Sequence, residues 1–258
     1  MPVSVKVKLI KKEKLIDGIY KFSVETPEIA VSAKPGQFLE VKASEIGEVF
    51  LRRPISIYNI DKTITEFIFQ VKGKGTELLA RKEVGDELDI IGPLGEGTFD
   101  IKEYKKAVII GGGIGTYPLY ELARQLKGKS EIIMYMGFRN KELVTLEKEF
   151  KNVVNELILT TDDGSYGKKG FAINYLKEDC KKEKPDIIFA CGPLPMLKAV
   201  QEFANSNKIQ CQMSLEERMG CGIGACLGCA VKIISGKEPR FGRVCKEGPI
   251  FYATDVEI

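Results

Sequence analysis

The sequence predicts a multi-domain chain of α/β plus β class: an N-terminal antiparallel β-barrel over residues 1–101, a central doubly wound parallel α/β domain over 102–210, and a small C-terminal module over 211–258. Three observations carry this. Residues up to about 100 hold short β-type runs divided by Gly/Pro turns; from Lys105 buried-type strands alternate with helical stretches; after Lys208 cysteines and glycines crowd together. A length of 258 residues suits about two domains, or one domain with a small module.

In the first segment, 3–9, 19–24, 38–41, 55–60, 66–71 and 87–91 read as strands, separated by turns such as Lys34-Pro35-Gly36 and Gly92-Pro93-Leu94-Gly95. Arg52-Arg53-Pro54-Ile55-Ser56 lies on one strand. Gln70-Val71-Lys72 leads from another, through Gly75, into a short helix that Thr76 caps. Two arginines and a helix start suit an anion such as a pyrophosphate, while a solvated basic strand accounts for the same residues.

In the second segment 107–110, 132–136, 157–160 and 187–190 read as strands, with helices at 119–126, 140–151, 171–182 and 194–206. Gly111-Gly112-Gly113-Ile114-Gly115 follows the first of these strands and opens a helix, with Pro118 where the dinucleotide fingerprint has its third glycine. Such a turn lets backbone N–H groups approach a pyrophosphate, although glycine turns also serve plain strand-to-helix packing. The second strand ends at Met136-Gly137-Phe138-Arg139 without the acidic residue that binds an adenosine ribose. Asp162-Asp163-Gly164, after the third strand, is the candidate instead. It would repel a 2′-phosphate and favours NADH over NADPH, and an ordinary polar turn is the alternative. Cys191-Gly192-Pro193 ends the fourth strand and Met196 starts the next helix, which sets Cys191 beside a nicotinamide or leaves the segment a structural turn.

In the third segment Cys221, Cys226 and Cys229 form Cys-x4-Cys-x2-Cys, and Cys245 follows after 15 further residues. This is the plant-type [2Fe-2S] ligand spacing. Gly222, Gly224, Ala225 and Gly228 lack bulk and let the backbone curl around a cluster. A four-cysteine zinc site usually draws on two separate knuckles, and simple buried cysteines need no fixed spacing. Cys180 and Cys211 share no such spacing and read as small buried residues.

Composition narrows the chemistry. The chain has no histidine, which excludes Ser/His/Asp and Cys/His nucleophile pairs, His-ligated zinc and a Rieske centre. No acid or base catalyst is expected; a bound cofactor carries the reaction. The net charge of +3 is too small to argue for a nucleic-acid partner, and none is expected. The N-terminus alternates like a strand, unlike a signal peptide, and no apolar run reaches the length of a membrane span, so no membrane partner and a cytoplasmic location are expected.

Arg-Pro-x-Ser on a barrel, then Gly-x-Gly-x-x-Pro, then Cys-Gly-Pro, resembles the ferredoxin-NADP reductase superfamily over roughly residues 1 to 210. With Cys-Gly-Ile-Gly-Ala-Cys-Leu-Gly-Cys and Val244 to Phe251 added, the whole chain resembles the electron-transfer subunits of class 1B, NAD-dependent dihydroorotate dehydrogenases of pyrimidine biosynthesis. The resemblance implies FAD on the barrel at Arg53, Pro54, Ile55, Ser56, Gln70, Val71, Lys72, Gly75 and Thr76, with Ser56 at the flavin's reacting edge and Arg53 at its pyrophosphate. It implies NAD(H) on the second domain at Gly111, Gly112, Gly113, Ile114, Gly115, Asp162, Asp163, Gly164, Cys191, Gly192, Pro193 and Met196. It also implies a [2Fe-2S] cluster on Cys221, Cys226, Cys229 and Cys245, facing an FMN-containing catalytic subunit in a heterotetramer of two of each. Two departures stand out: Ile55 replaces a flavin-stacking tyrosine of the wider superfamily, and Thr116-Tyr117 replaces smaller apolar residues. A regular strand also puts Arg53 and Ser56 on opposite faces. The small subunit of NADH-dependent ferredoxin:NADP reductase is similar, but that family tends to have an aspartate where this chain has Cys221. Sulfhydrogenase-type reductase subunits, and a zinc-containing nucleotide or redox sensor that is no enzyme, are the remaining alternatives.

Overall fold

The alternating runs of the first hundred residues close into a six-stranded antiparallel barrel in the computed structural model, which describes every residue except 45, 46, 48 and 237. Its strands are β1 (Val3–Ile16), β2 (Ile19–Glu25), β3 (Phe38–Val41), β4 (Arg53–Asp61), β5 (Ile64–Gln70) and β6 (Glu87–Leu94), in the order β1-β2-β5-β4-β3-β6. Helices α1 (Pro27–Ala30) and α2 (Lys74–Ala80) lie in the connections. Inward residues of all six strands, among them Leu9, Phe22, Leu39, Ile57, Phe67 and Ile90, make one buried core. Closure leaves no free sheet edge, so outward-facing residues are available for binding.

β1 runs seven residues past the expected end at Leu9. Its second half is Lys/Glu-rich and carries no apolar alternation, so the sequence pattern misses it. Pairing with β2 across the Asp17-Gly18 turn holds it, aided by Lys21 against Glu13 at 3.1 Å.

The second sheet follows from the alternation after Lys105. β7 (Lys106–Gly112), α3 (Leu119–Leu126), β8 (Glu131–Phe138), α4 (Glu147–Lys151), β9 (Glu156–Thr161), β10 (Lys168–Lys169), α5 (Ala172–Asp179), β11 (Ile187–Cys191), α6 (Leu194–Asn207) and β12 (Gln210–Ser214) follow one another. The chain then adds β13 (Ala230–Ile233), β14 (Arg240–Arg243), β15 (Ile250–Tyr252) and β16 (Val256–Glu257). The sheet order is β10-β9-β8-β7-β11-β12-β15, parallel except for β15, which runs antiparallel to β12. The helix expected over 140–151 is broken. A 3-10 turn over Lys141–Leu143 precedes α4, because Leu146 takes a left-handed conformation (φ 58°) at the helix start. The helix expected over 171–182 is trimmed to α5.

The chain forms two compact units. One contains Met1–Thr98, Glu216–Ala230 and Gly242–Pro249; the other contains Phe99–Leu215, Val231–Phe241 and Ile250–Ile258. The C-terminal stretch is thus shared: all four spaced cysteines belong with the barrel, whereas β15, in the α/β sheet, and β16, paired with β13, belong to the second unit. Among the described residues no helix is long and apolar enough to cross a membrane.

Candidate functional site

Sheet order reverses between β7 and β11, and ligands of such sheets bind at the carboxyl ends of the strands flanking the reversal. Both glycine-bearing turns arise there. β7 runs into a 3-10 turn over Gly113–Thr116, and α3 begins behind Pro118. On β11 Cys191 pairs with Gly111 of β7, and the chain continues through Gly192-Pro193 into α6, which begins at Leu194, the start expected for the 194–206 helix, with Met196 in its first turn. A Cβ on Gly115 would lie 2.6 Å from Gly192 Cα, and one on Gly112 would lie 2.8 Å from Met196 Sδ and from Pro193 Cδ. Glycine is required where two turns pack backbone to backbone, so the 111–115 loop, Gly192, Pro193 and Met196 form one wall. Cys191 itself is buried at its foot.

The bulk of Thr116-Tyr117 is taken into the interior. Both are buried, and the Tyr117 hydroxyl lies 3.0 Å from Thr145 Oγ1. Burial raises the Tyr117 phenol above its ordinary pKa. The two aspartates after β9 divide in role. Asp163 Oδ1 accepts from Ser165 N at 2.9 Å and Ser165 Oγ at 2.6 Å, which lowers its pKa and fixes the turn around Gly164. Asp162 is exposed, and its backbone N–H donates to Phe138 O at the end of β8.

On the barrel, β3 and β4 pair without a break from Phe38 opposite Ser56 to Val41 opposite Arg53, so the strand is regular through the Arg-Pro-Ile-Ser segment. Ile55 and Ile57 enter the core, which turns Pro54 and Ser56 to the outer face. Ile55 therefore offers its backbone, not its side chain, to anything bound outside. Arg53, at the start of β4, reaches the start of α2, where a Cβ on Gly75 would overlap its guanidinium. The expected Thr76 cap is displaced. Gly73 is the N-cap, and Thr76, three residues in, folds back to donate to Gly73 O at 2.9 Å and accept from Lys72 N at 2.9 Å. Gln70 ends β5, while Val71 N donates to Gly18 O. The two arginines differ. Arg52 is committed to Asp89, donating to its Oδ1 at 2.8 Å and its carbonyl at 2.9 Å, and Arg53 is the charge beside α2.

Sequence reasoning missed Glu40, on β3 opposite Pro54. It is 1% exposed, and neither carboxyl oxygen has a hydrogen-bond partner among the described residues. Burial pushes it up to about 7 against the pull of Arg52. A carboxylate inside the otherwise apolar run Phe38-Leu39-Glu40-Val41 was the available signal.

The cysteine loop is built around its sulfurs. Ala225 N and Cys226 N donate to Cys221 Sγ at 3.2 and 3.4 Å, Gly224 N donates to Cys245 Sγ at 3.1 Å, and Cys245 N donates to Cys229 Sγ at 3.4 Å. Gly222 and Gly224 adopt left-handed conformations (φ 68° and 84°) that turn these N–H groups inward. Partial burial opposes ionisation of Cys221, but N–H groups of Cys226, Ile223 and Ala225 bring its thiol down to about 6. Burial, and then the neighbouring Cys229, push Cys245 up to about 12. Cys226 also lowers the Cys221 thiol, while Cys245 feels both Cys229 and Cys221. Four cysteine thiolates are the donor set of a [2Fe-2S] cluster. Arg243 braces the loop, donating to Gly224 O at 2.8 Å and to Glu247 Oε1 at 2.6 Å, and that bond holds Glu247 down at about 2. Backbone bonds from Glu96 N to Lys246 O and from Gly97 N to Gly248 O, each 2.9 Å, fasten the Cys245 segment to the end of the barrel.

Comparison with known proteins agrees with this geometry. Residues 6–99 match an oxidoreductase FAD-binding domain, 109–202 an oxidoreductase NAD-binding domain, and 216–257 the iron-sulfur cluster binding domain of dihydroorotate dehydrogenase B. The dihydroorotate dehydrogenase B (NAD(+)) electron transfer subunit of Caldanaerobacter subterraneus subsp. tengcongensis is 38% identical over 251 residues, 97% of each chain. The subunit of the same name from Geobacillus sp. is 38% identical over 96% of each chain. A solved NADH-dependent reduced ferredoxin-NADP oxidoreductase superposes with a TM-score of 0.85 at 30% identity, covering 97% of this chain and 89% of that one. The chain belongs to the family of dihydroorotate dehydrogenase B electron transfer subunits.

Proposed function

We propose that this chain passes electrons between NAD(H) and the FMN of a separate dihydroorotate-oxidising subunit, through FAD on the barrel and a [2Fe-2S] cluster on Cys221, Cys226, Cys229 and Cys245. The observation that carries the reading is the set of backbone N–H groups turned onto the sulfurs of Cys221, Cys229 and Cys245 on a loop fastened to the flavin-type barrel. Hydride exchange with NAD(H) and single-electron passage are the chemistry of the bound groups. The protein's own residues position and shield. Arg53 with Gly75 and Thr76 holds the flavin pyrophosphate, and α2, at seven residues, adds little dipole beside that guanidinium. Pro54 and Ser56 on the outer face meet the flavin ring, with the Ser56 hydroxyl at its reacting edge. Since β4 is regular there, the flavin lies across the strand's end, which lets it touch both Arg53 and Ser56. Gln70 to Lys72 line the approach to α2.

On the α/β unit, N–H groups of Gly111 to Gly115 cradle the NAD pyrophosphate. Gly192, Pro193 and Met196 shape the nicotinamide end, over the buried Cys191. Asp162 is the ribose acceptor, whereas Asp163 and Gly164 hold the turn that presents it; the carboxylate favours NADH. The partner is a catalytic subunit, in a heterotetramer of two of each, in the cytoplasm. The likeness to NADH-dependent reduced ferredoxin-NADP oxidoreductase favours a second reading, a ferredoxin-linked reductase small subunit. Co-purification decides between them: an FMN-containing partner giving dihydroorotate-dependent NAD reduction supports the first reading, and a partner without FMN supports the second.

A further inference from the structure

Glu40 is a buried acid whose carboxyl has no hydrogen-bond partner among the described residues. Leu39 and Val41 on either side of it enter the barrel core, so the Glu40 side chain leaves by the outer face of β3, on the same face as its cross-strand partner Pro54 and, one pair further, Ser56. The cysteine loop covers it: a Cβ on Gly222, next to Cys221, would overlap the carboxyl, and Gly222 is left-handed at φ 68°. The neighbouring arginines pull on it electrostatically but are bonded elsewhere: Arg52 is held by Asp89, and Arg53 donates to Leu51 O at 2.7 Å and Arg52 O at 3.0 Å. Leaving a buried carboxyl unsatisfied is costly, and a group kept so calls for a ligand or a role.

We propose that Glu40 is a flavin-binding and positioning residue: its carboxyl fills the gap between the Arg-Pro-Ile-Ser strand and the cysteine loop, hydrogen-bonds an N–H or O–H group of the flavin seated against Pro54 and Ser56, and so fixes the spacing of loop and flavin. This rests on the placement of FAD proposed above. Gly222 is the complement of Glu40, the one residue type that lets the loop close over the acid.

The test compares the holo-protein with Glu40→Gln, Glu40→Ala and Gly222→Ala variants, reading flavin dissociation, the position of the flavin absorption bands, the flavin midpoint potential and the cluster spectrum. Glu40→Ala is expected to weaken flavin binding by about tenfold and to shift both bands and potential, with the cluster retained. Glu40→Gln, which keeps the volume and one acceptor oxygen, restores most of the difference. In the flavin-free protein Glu40→Gln melts no lower than wild type, which a purely structural role would not give. Gly222→Ala shifts the flavin bands in the wild-type background and does so less beside Glu40→Ala, because the left-handed strain is common to both backgrounds. Wild-type flavin affinity, bands and potential in Glu40→Ala overturn the assignment. A wild-type protein that binds cluster and NAD but no flavin overturns the functional reading first, and this one with it.

Discussion

Cys245 is buried and receives the Gly224 N–H, yet it stands 16 residues beyond Cys229, the last of the other three cysteines, on a segment bonded to the barrel end. Cys245→Ser is expected to abolish iron binding and the absorbance beyond the flavin bands while FAD stays bound, since Arg53, Ser56 and α2 are untouched; loss of flavin with an intact cluster would reverse the assignment of the two sites. Glu40 supplies a pH signature in the flavin-free protein. Its folded value of about 7 lies above the ordinary 4.5, so between these values the folded chain keeps a proton that the unfolded chain has released. Stability therefore falls as pH rises through that window and is level above it, by about 3 kcal/mol in all. Denaturant midpoints at about pH 5 and pH 8 check this: Glu40→Gln is expected to lose most of the slope that the wild type shows.

At the scale of elements, the meeting of the turns after β7 and β11 decides whether a dinucleotide can bind. Gly115→Ala places a Cβ 2.6 Å from Gly192 Cα, where backbone faces backbone and neither can rotate away. The overpacking is expected to cost about 1–3 kcal/mol. Thermal unfolding of the variant, with KM for NADH against a small electron acceptor, measures it. A raised KM with unchanged flavin content is the expected pattern. The barrel is less exposed to such a change because its binding face is separate from its core: Ile55 and Ile57 pack inward while Pro54 and Ser56 face out.

At the scale of the whole molecule, the order of parts was legible in the sequence. Gly/Pro-punctuated alternation gave the barrel strands nearly to the residue at β3, and buried β-branched runs marked β7, β8, β9 and β11. The cysteine spacing marked the proposed ligands without any fold. What escaped the sequence depends on partners distant along the chain. The charged half of β1 is a strand only through β2, and the burial of Gln212 on β12 goes with its accepting from Asp100 N at 2.9 Å. The C-terminal stretch reads as one small module, but it contributes its cysteine segments to the barrel unit and its last strands to the α/β unit, because 48 residues are too few to bury a core of their own. Glu40 could be flagged by pattern, but only the fold shows Gly222 above it.

The central claim is that one chain joins NADH, flavin and a [2Fe-2S] cluster in a single electron route. Anaerobic titration of the purified protein with NADH, followed by absorbance and low-temperature electron paramagnetic resonance, tests it most directly. The expected result is bleaching of the flavin bands together with the signal of one reduced [2Fe-2S] cluster per chain. A colourless protein that contains zinc and no flavin, and that NADH leaves unchanged, would contradict it.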